Sequence, residues 1–340
     1  MNLALAPMDG ITDSAYRRIC QKVFEQQTQK TDEFFLFTEF MNASGYIRNP
    51  EGVYKHILNT TQEKNLTAQI YGGDEYELLE TFEDIDKNYN FSGLELNIGC
   101  PSPKVVSSGG GAGMLYEKEK TLKLIQKISR KINSPFSIKT RIGVDKYDIN
   151  SQKKFIIEAS NFCNLITVHG RTFKQAHSGD VDRETIYEIR QNSNFGCKIF
   201  GNGGIDSYAK AKEKIGNLDG IMIGQASIGN PWIFTNTTPN YNEILETILE
   251  HLDEMCSLES IFEKYKGNKY LPTIKEQGIQ KEKQNLLKKD NNKLKSPIEF
   301  RKHLFAYLKG LPNSKDFKQK IVNIKTHHQL RNEISKFIKK

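Results

Sequence analysis

Leu94-Glu95-Leu96-Asn97-Ile98-Gly99-Cys100-Pro101-Ser102-Pro103 runs an apolar strand directly into a turn that carries a thiol. Leu94, Leu96 and Ile98 alternate with Glu95, Asn97 and Gly99, the period of two that a strand imposes on its side chains. Gly99, Pro101 and Pro103 stop the strand and leave Cys100 on the loop just past its C-terminal end. In an α/β barrel that is the end where chemistry collects. A lone cysteine is most often a small buried hydrophobe. Here Pro101 has no N–H, Gly99 has no side chain, and Gly109-Gly110-Gly111-Ala112-Gly113 follows in the same loop. Such a run is flexible enough to fold over a ligand.

Outward from this stretch, strand signals recur at even spacing: Leu3 to Ala6, Phe34 to Thr38, Leu66 to Tyr71, Gly93 to Ile98, Phe136 to Thr140, Leu165 to Val168, Lys198 to Phe200 and Gly220 to Ile223. Between them lie helical periodicities, for example Glu117 to Ile132 with Leu122, Leu124, Ile125 and Ile128, and Ser151 to Asn161 with Phe155, Ile156 and Ala159. Eight such alternations predict an α/β fold of the (β/α)8 TIM-barrel type. An open Rossmann sheet is the competing reading, but no G-x-G-x-x-G follows the first strand. Polar or reactive residues stand at the ends of successive strands: Pro7-Met8, Thr38-Glu39, Gln69, Asn97 with Cys100, Lys139 with Arg141, His169 with Arg171, Asn202, and Gly224-Gln225.

The 340 residues exceed one typical core, and 37% hydrophobic content suffices for a large domain plus a smaller one. The division predicted is a barrel over residues 1–240 and a small all-α domain over 241–340, with a Lys/Asn-rich insertion at about 265–296 read as mobile or partly helical. Charge follows the same division. Residues 258–340 hold 21 basic against 8 acidic side chains, a surplus of 13; the whole chain is +8, so residues 1–257 stand at −5. A mildly acidic body with a basic appendage suits a protein that grips a polyanion such as nucleic acid, although a Lys-rich genome also produces such tails. Five cysteines without a C-x-x-C pair argue against a structural zinc site or a disulfide scaffold. No run of 18 apolar residues occurs, and Met1 to Pro7 lack a basic n-region, so neither a membrane span nor a signal peptide is expected. A cytoplasmic, metal-free monomer is the expectation.

At this point the motifs carry a resemblance. Leu5-Ala6-Pro7-Met8-Asp9-Gly10-Ile11-Thr12-Asp13, Thr38-Glu39-Phe40, Gln69-Ile70-Tyr71-Gly72, Leu96-Asn97-Ile98-Gly99-Cys100-Pro101, Ile138-Lys139-Thr140-Arg141, Val168-His169-Gly170-Arg171-Thr172, Gly201-Asn202-Gly203-Gly204-Ile205 and Gly220-Ile221-Met222-Ile223-Gly224 follow one another along the barrel. Together with Arg301-Lys302-His303-Leu304-Phe305-Ala306-Tyr307-Leu308-Lys309-Gly310, they make the chain resemble the tRNA-dihydrouridine synthases, flavin enzymes that reduce uridines in tRNA. The resemblance covers nearly everything except the Lys-rich insertion.

That resemblance implies FMN as the cofactor and NADPH or NADH as reductant. Pro7, Met8 and Asp9 would lie against the flavin ring, Gln69 and Lys139 would bond its polar edge, and His169 would approach from the next strand. A cation at the N1/C2=O edge balances the negative charge that builds there on reduction. The phosphate would rest on main-chain N–H groups of Asn202, Gly203, Gly204, Gly224 and Gln225. Gln225 departs from the family, where an Arg commonly stands. Cys100 is the implied general acid at uracil C5, and an ordinary thiol with a pKa of about 8.5 is protonated at neutral pH. Asn97 would pair with the uracil edge, a role that competes with that of a turn-forming Asn; Arg141 and Arg171 are further substrate contacts. The uridine must leave its stack to be reached. Two other classes stay open: a flavin-dependent barrel acting on a free small molecule, and a tRNA-binding protein with little or no catalysis.

Overall fold

The computed structural model describes residues 1–27, 32–288 and 294–338. Eight parallel strands pair in sequence order: β1 (Leu3–Leu5), β2 (Phe34–Phe37), β3 (Leu66–Tyr71), β4 (Gly93–Asn97), β5 (Phe136–Arg141), β6 (Leu165–His169), β7 (Lys198–Asn202) and β8 (Gly220–Ile223). β8 pairs back onto β1 through Leu3↔Ile221 and Leu5↔Ile223, which closes the sheet and leaves no edge. The chain therefore forms the (β/α)8 barrel followed by a helical region. A two-residue strand, Met41–Asn42, runs beside β3.

Both faces of each strand are covered, as parallel sheets require, so β4 and β6 are buried at every residue. On the outside lie amphipathic helices. Lys118–Lys131 buries Thr121, Leu124, Ile125 and Ile128, one stripe at helical spacing. Glu75–Asn88 starts where the Asp74 carboxylate accepts from Glu77 N at 2.9 Å, and Arg183–Asn192 starts on Asp182, which accepts from Thr185 N at 3.0 Å. Inside, Ala4, Ala6, Phe37, Leu165, Phe200 and Met222 form one apolar cluster.

Register extends that interior face across the sheet, because partners in a parallel ladder point the same way. Leu165 is level with Ser137, Glu95 and Gln69; Phe200 is level with Thr167, Lys139 and Asn97. Nearest the C-terminal end, Arg141, His169 and Asn202 share a rung with Met222. One side of the barrel interior is thus apolar and the other polar.

Among the described residues the chain divides into two compact units, 1–8, 32–57 and 64–224 forming the barrel, and 9–27, 58–63 and 225–338 forming the other. The second unit is helical: Ser14–Gln27, the long Tyr241–Lys264, Glu276–Lys288, Ser296–Glu299, Arg301–Tyr307, Ser314–Ile321 and His327–Ile338. Its long helix begins in a capping box between Asn240 and Glu243. The Lys-rich insertion contributes the Glu276–Lys288 helix, whose Glu276 pairs with Arg18 at 2.7 Å while Arg18 also holds Glu254 at 2.9 Å; positions 289–293 of that insertion lie outside the described residues. Tyr16, His251, Phe300, His303 and Tyr307 pack into the core of this unit, with the two imidazole rings 4.6 Å apart. No helix among the described residues is long and apolar enough to cross a membrane.

Candidate active site

The loop that follows β4 is held by its own strand. Asn97, its last residue, turns its side-chain oxygen onto the main chain ahead and accepts from Gly99 N at 3.1 Å and Cys100 N at 2.9 Å. The Asn97 amide donates to Gln69 Oε1 at 2.9 Å, and Gln69 Nε2 donates to Glu95 Oε1 at 2.5 Å. Asn97 therefore acts as a turn-former, with one amide hydrogen beyond these bonds. Cys100 is half-buried and in no disulfide, and its carbonyl accepts from Ala112 N at 3.0 Å. Gly111 sits at φ +54°, where a Cβ would come 2.7 Å from that same carbonyl. This position requires glycine.

Arg141 braces the loop from β5. Its Nε donates to Gly99 O at 2.8 Å, and its Nη1 donates to Thr172 O at 3.1 Å and Ala176 O at 2.8 Å. Burial lowers the guanidinium to about 10, which still leaves it charged at neutral pH. Arg141, expected as a substrate contact, has two of its three nitrogens tied to the main chain, because the turn after β6 brings Thr172 and Ala176 to the end of β5, and Nη2 lies outside these bonds.

Lys139 points into the barrel and donates to Asn202 Oδ1 at 3.2 Å, while Asn202 donates to Met222 O at 2.9 Å. Burial pushes the Lys139 ammonium down, and the Glu95 carboxylate opposes that. Glu95 is completely buried and is pushed upward by the same loss of water. Its Oε2, and Thr167 Oγ1 on β6, are buried without a hydrogen-bond partner. His169 is pushed down to about 2 by burial first, then by Lys139, Arg141 and Arg171, so its ring is neutral. Arg171 Nη1 lies 3.4 Å from His169 Nε2. A guanidinium can only donate, so Nε2 accepts and the ring proton resides on Nδ1.

After β7 the main chain turns through Gly203 (φ +104°) and Gly204 (φ +65°), and a Cβ on Gly203 would sit 2.7 Å from His169 Cδ2. Arg183 Nη2 donates to Gly203 O at 2.5 Å, and its Nη1 is buried without a partner. Met8 follows β1 beside Gly224, whose Cβ would meet Met8 Sδ at 3.7 Å. The structure thus gathers Gln69, Asn97, Cys100, Lys139, Arg141, His169, Arg171, Asn202, Gly203 and Gly204 at one end of the barrel, with Pro7, Met8 and Gly224 on its strand ends. Asp9 and Gln225 are counted with the second unit; Gln225 opens a short 3-10 turn, Gln225–Ser227.

Sequence reasoning missed two residues. Glu95 carried a signal, a carboxylate two positions before Asn97 and so on the same strand face. Arg183 carried none, because it reaches the glycine turn from the start of a different helix.

These residues fit a flavin mononucleotide. A buried ammonium and an amide lie on adjacent rungs, Thr167 Oγ1 lacks a partner, and a left-handed glycine turn stands beside a guanidinium with a free buried donor. The sequence pattern of the dihydrouridine synthase family matches residues 4–340. tRNA-dihydrouridine synthase B of Pasteurella multocida is 30% identical over 267 residues, 74% of this chain and 76% of that protein. A "Probable tRNA-dihydrouridine synthase" of Helicobacter pylori strain J99 is 27% identical and spans 98% of this chain and 91% of its own length. The tRNA-dihydrouridine(20/20a) synthase of Synechocystis is 27% identical over 74% of this chain and 78% of its own. With a family match running almost from end to end over a barrel of this construction, the chain belongs to the dihydrouridine synthase family.

Proposed function

We propose that this chain reduces the C5=C6 bond of specific uridines in tRNA to 5,6-dihydrouridine, using FMN and NAD(P)H, with Cys100 as general acid. The observation that supports the reading is the Cys100 loop, whose main chain Asn97 holds at the barrel's C-terminal end while Asn97 in turn bonds Gln69 and the Lys139 ammonium lies near enough to feel a charge on Cys100. A bound flavin supplies the reducing electron pair and the hydrogen delivered to C6.

The chain's own residues do the rest. Lys139 and Gln69 hold the polar edge of the flavin ring, with Pro7, Met8 and Asp9 against the ring itself. The Gly203-Gly204 turn and Asn202, then Gly224 and Gln225, offer main-chain donors to the phosphate, and Arg183 adds a cation there. His169, neutral and donating from Nδ1, offers a hydrogen bond without a second competing charge. Cys100 gives its proton to C5, and the thiolate left behind lies near Lys139 and Arg141, which feel its charge. The remaining Asn97 hydrogen, Arg141 Nη2 and Arg171 are the substrate contacts. The basic residues of the second unit, including the exposed Lys302, Lys309 and Lys325, grip the tRNA backbone.

Incubating the purified chain with FMN, NADPH and unmodified tRNA, then measuring dihydrouridine by nucleoside mass spectrometry, tests the reading. Flavin oxidation that needs whole tRNA supports it. Turnover on free uracil alone would favour a small-molecule reductase, and a protein that binds tRNA yet cannot be loaded with FMN would favour a plain binder.

A further inference from the structure

A continuous set of side-chain hydrogen bonds runs from the barrel interior to the Cys100 loop. Glu95 Oε1 accepts from Gln69 Nε2 at 2.5 Å, Gln69 Oε1 accepts from Asn97 Nδ2 at 2.9 Å, and Asn97 Oδ1 accepts from the main-chain N–H groups of Gly99 and Cys100. Side-chain amides can flip, so their direction must be imposed by partners that have no choice. The two ends supply it. Main-chain N–H groups only donate, which turns Asn97 oxygen-first toward Cys100; its NH2 must then meet an oxygen, which turns Gln69; and the NH2 of Gln69 must find an acceptor in turn. Glu95 is that acceptor in either protonation state, because Oε1 accepts even when Oε2 carries a proton.

The members are buried, with Glu95 and Gln69 at 0% exposure and Asn97 at 5%, so water cannot replace a lost partner. A buried donor left unmet costs more than a typical hydrogen bond contributes. Without Glu95 the Gln69 NH2 is unmet in either orientation, so nothing fixes which way that amide faces; whenever its NH2 turns toward the NH2 of Asn97, the hold on Cys100 loosens.

We propose that Glu95 is a positioning residue for Cys100, acting as the terminal acceptor of a one-directional relay through Gln69 and Asn97. This deepens the reading of Cys100 as the general acid and rests on it for its catalytic meaning. The relay itself is tested without flavin or tRNA.

The assay is alkylation of Cys100 by iodoacetamide on the full chain, followed by peptide mass spectrometry. Cys20, Cys163, Cys197 and Cys256 are buried, which leaves Cys100 as the accessible thiol. Glu95→Leu removes the acceptor and Gln69→Leu cuts the relay in the middle; each should speed Cys100 alkylation about tenfold, the order expected for one lost hydrogen bond. Glu95→Gln keeps an acceptor oxygen and should stay within about twofold of the parent chain. The double Leu variant should be no faster than either single one, because both break the same relay. If Glu95→Leu does not fold, Gln69→Leu decides alone. Unchanged alkylation in the Leu variants overturns the relay, as does a Glu95→Gln variant as fast as Glu95→Leu. Failure of Cys100 as the acid would appear elsewhere, as tRNA-dependent reoxidation persisting in Cys100→Ala.

Discussion

Replacing Arg141 by Met should cost about 3–4 kcal/mol of stability, and the figure follows from what the guanidinium holds. Its Nε donates to Gly99 O at 2.8 Å and its Nη1 to Ala176 O at 2.8 Å, with a longer third bond to Thr172 O. Hydrogen bonds from a charged donor contribute about 1.5–3 kcal/mol each. Two short ones at the lower end of that range already give about 3 kcal/mol, and the third, sharing Nη1, adds a fraction. Met fills much of the same volume, so the cavity penalty stays small and the loss reports mainly on three carbonyls left without donors. Against a total of about 5–15 kcal/mol the change is large. Urea titration followed by tryptophan fluorescence and far-UV circular dichroism measures it, and Arg141→Lys should recover only part, since an ammonium lacks the fork that spans two turns. A loss below about 1 kcal/mol in Arg141→Met would refute the argument, because it would mean that water or another donor already satisfies these carbonyls.

Other outcomes follow from the same geometry. Cys100→Ala should leave flavin reduction by nicotinamide nearly intact while slowing reoxidation on tRNA by about 10² or more, resolved by stopped-flow absorbance of each half-reaction. Arg183→Met should weaken FMN binding about tenfold or more but leave riboflavin binding unchanged, read by flavin fluorescence titration; equal losses for both would remove Arg183 from the phosphate. Stability should fall as pH drops from 7 to 5, because burial pushes His251 well down and His303 down to about 3, while the unfolded chain takes up those protons near pH 6.5. Each of these histidines then costs about 2 kcal/mol at pH 5. Asp13, pushed up to about 6 by burial, binds its proton more readily when folded and offsets part of that loss. Urea midpoints across this range check the slope, and His303→Phe should flatten it. tRNA binding by the full chain should weaken steeply with salt as Lys and Arg contacts release counterions, and filter binding at several ionic strengths would expose a flat response.

The eight strands were legible because a parallel barrel buries both faces of each strand and writes short apolar runs at even spacing. Their C-terminal ends were less so. β5, β6 and β7 continue through Arg141, His169 and Asn202, where ladder pairing persists after the side chains turn polar, and an apolar pattern cannot register a strand that ends in its own functional residues. The Glu276–Lys288 helix was only half visible for a related reason. It buries only Ile279 and Leu286 as apolar anchors and is also fastened by ion pairs, Arg18 to Glu276 and Lys264 to Glu282, which an apolar pattern does not register. For the site, residue types and strand ends identified the group that converges, while the direction of each hydrogen bond, and hence whether Asn97 and Arg141 face a substrate or the main chain, is a property of the folded loop.

That difference changes what the polar residues around Cys100 are for. The three peptide units around the thiol are held on nearly every polar atom: Gly99 N and Cys100 N by Asn97, Gly99 O by Arg141, and Cys100 O by Ala112 N. With the backbone fixed, the thiol keeps little freedom beyond rotation about its own Cα–Cβ bond. A general acid benefits from that restriction more than from an additional substrate contact, since proton transfer depends steeply on the position of donor relative to acceptor. Asn97 and Arg141 still have one uncommitted donor apiece, and those atoms are oriented by the same bonds that hold the loop. In the proposed reading, substrate recognition and placement of the acid are therefore mechanically joined: a change that loosens Asn97 or Arg141 shifts both, whereas Lys139 on β5 and Asn202 on β7 bond to each other and to Met222 O rather than to the Cys100 loop.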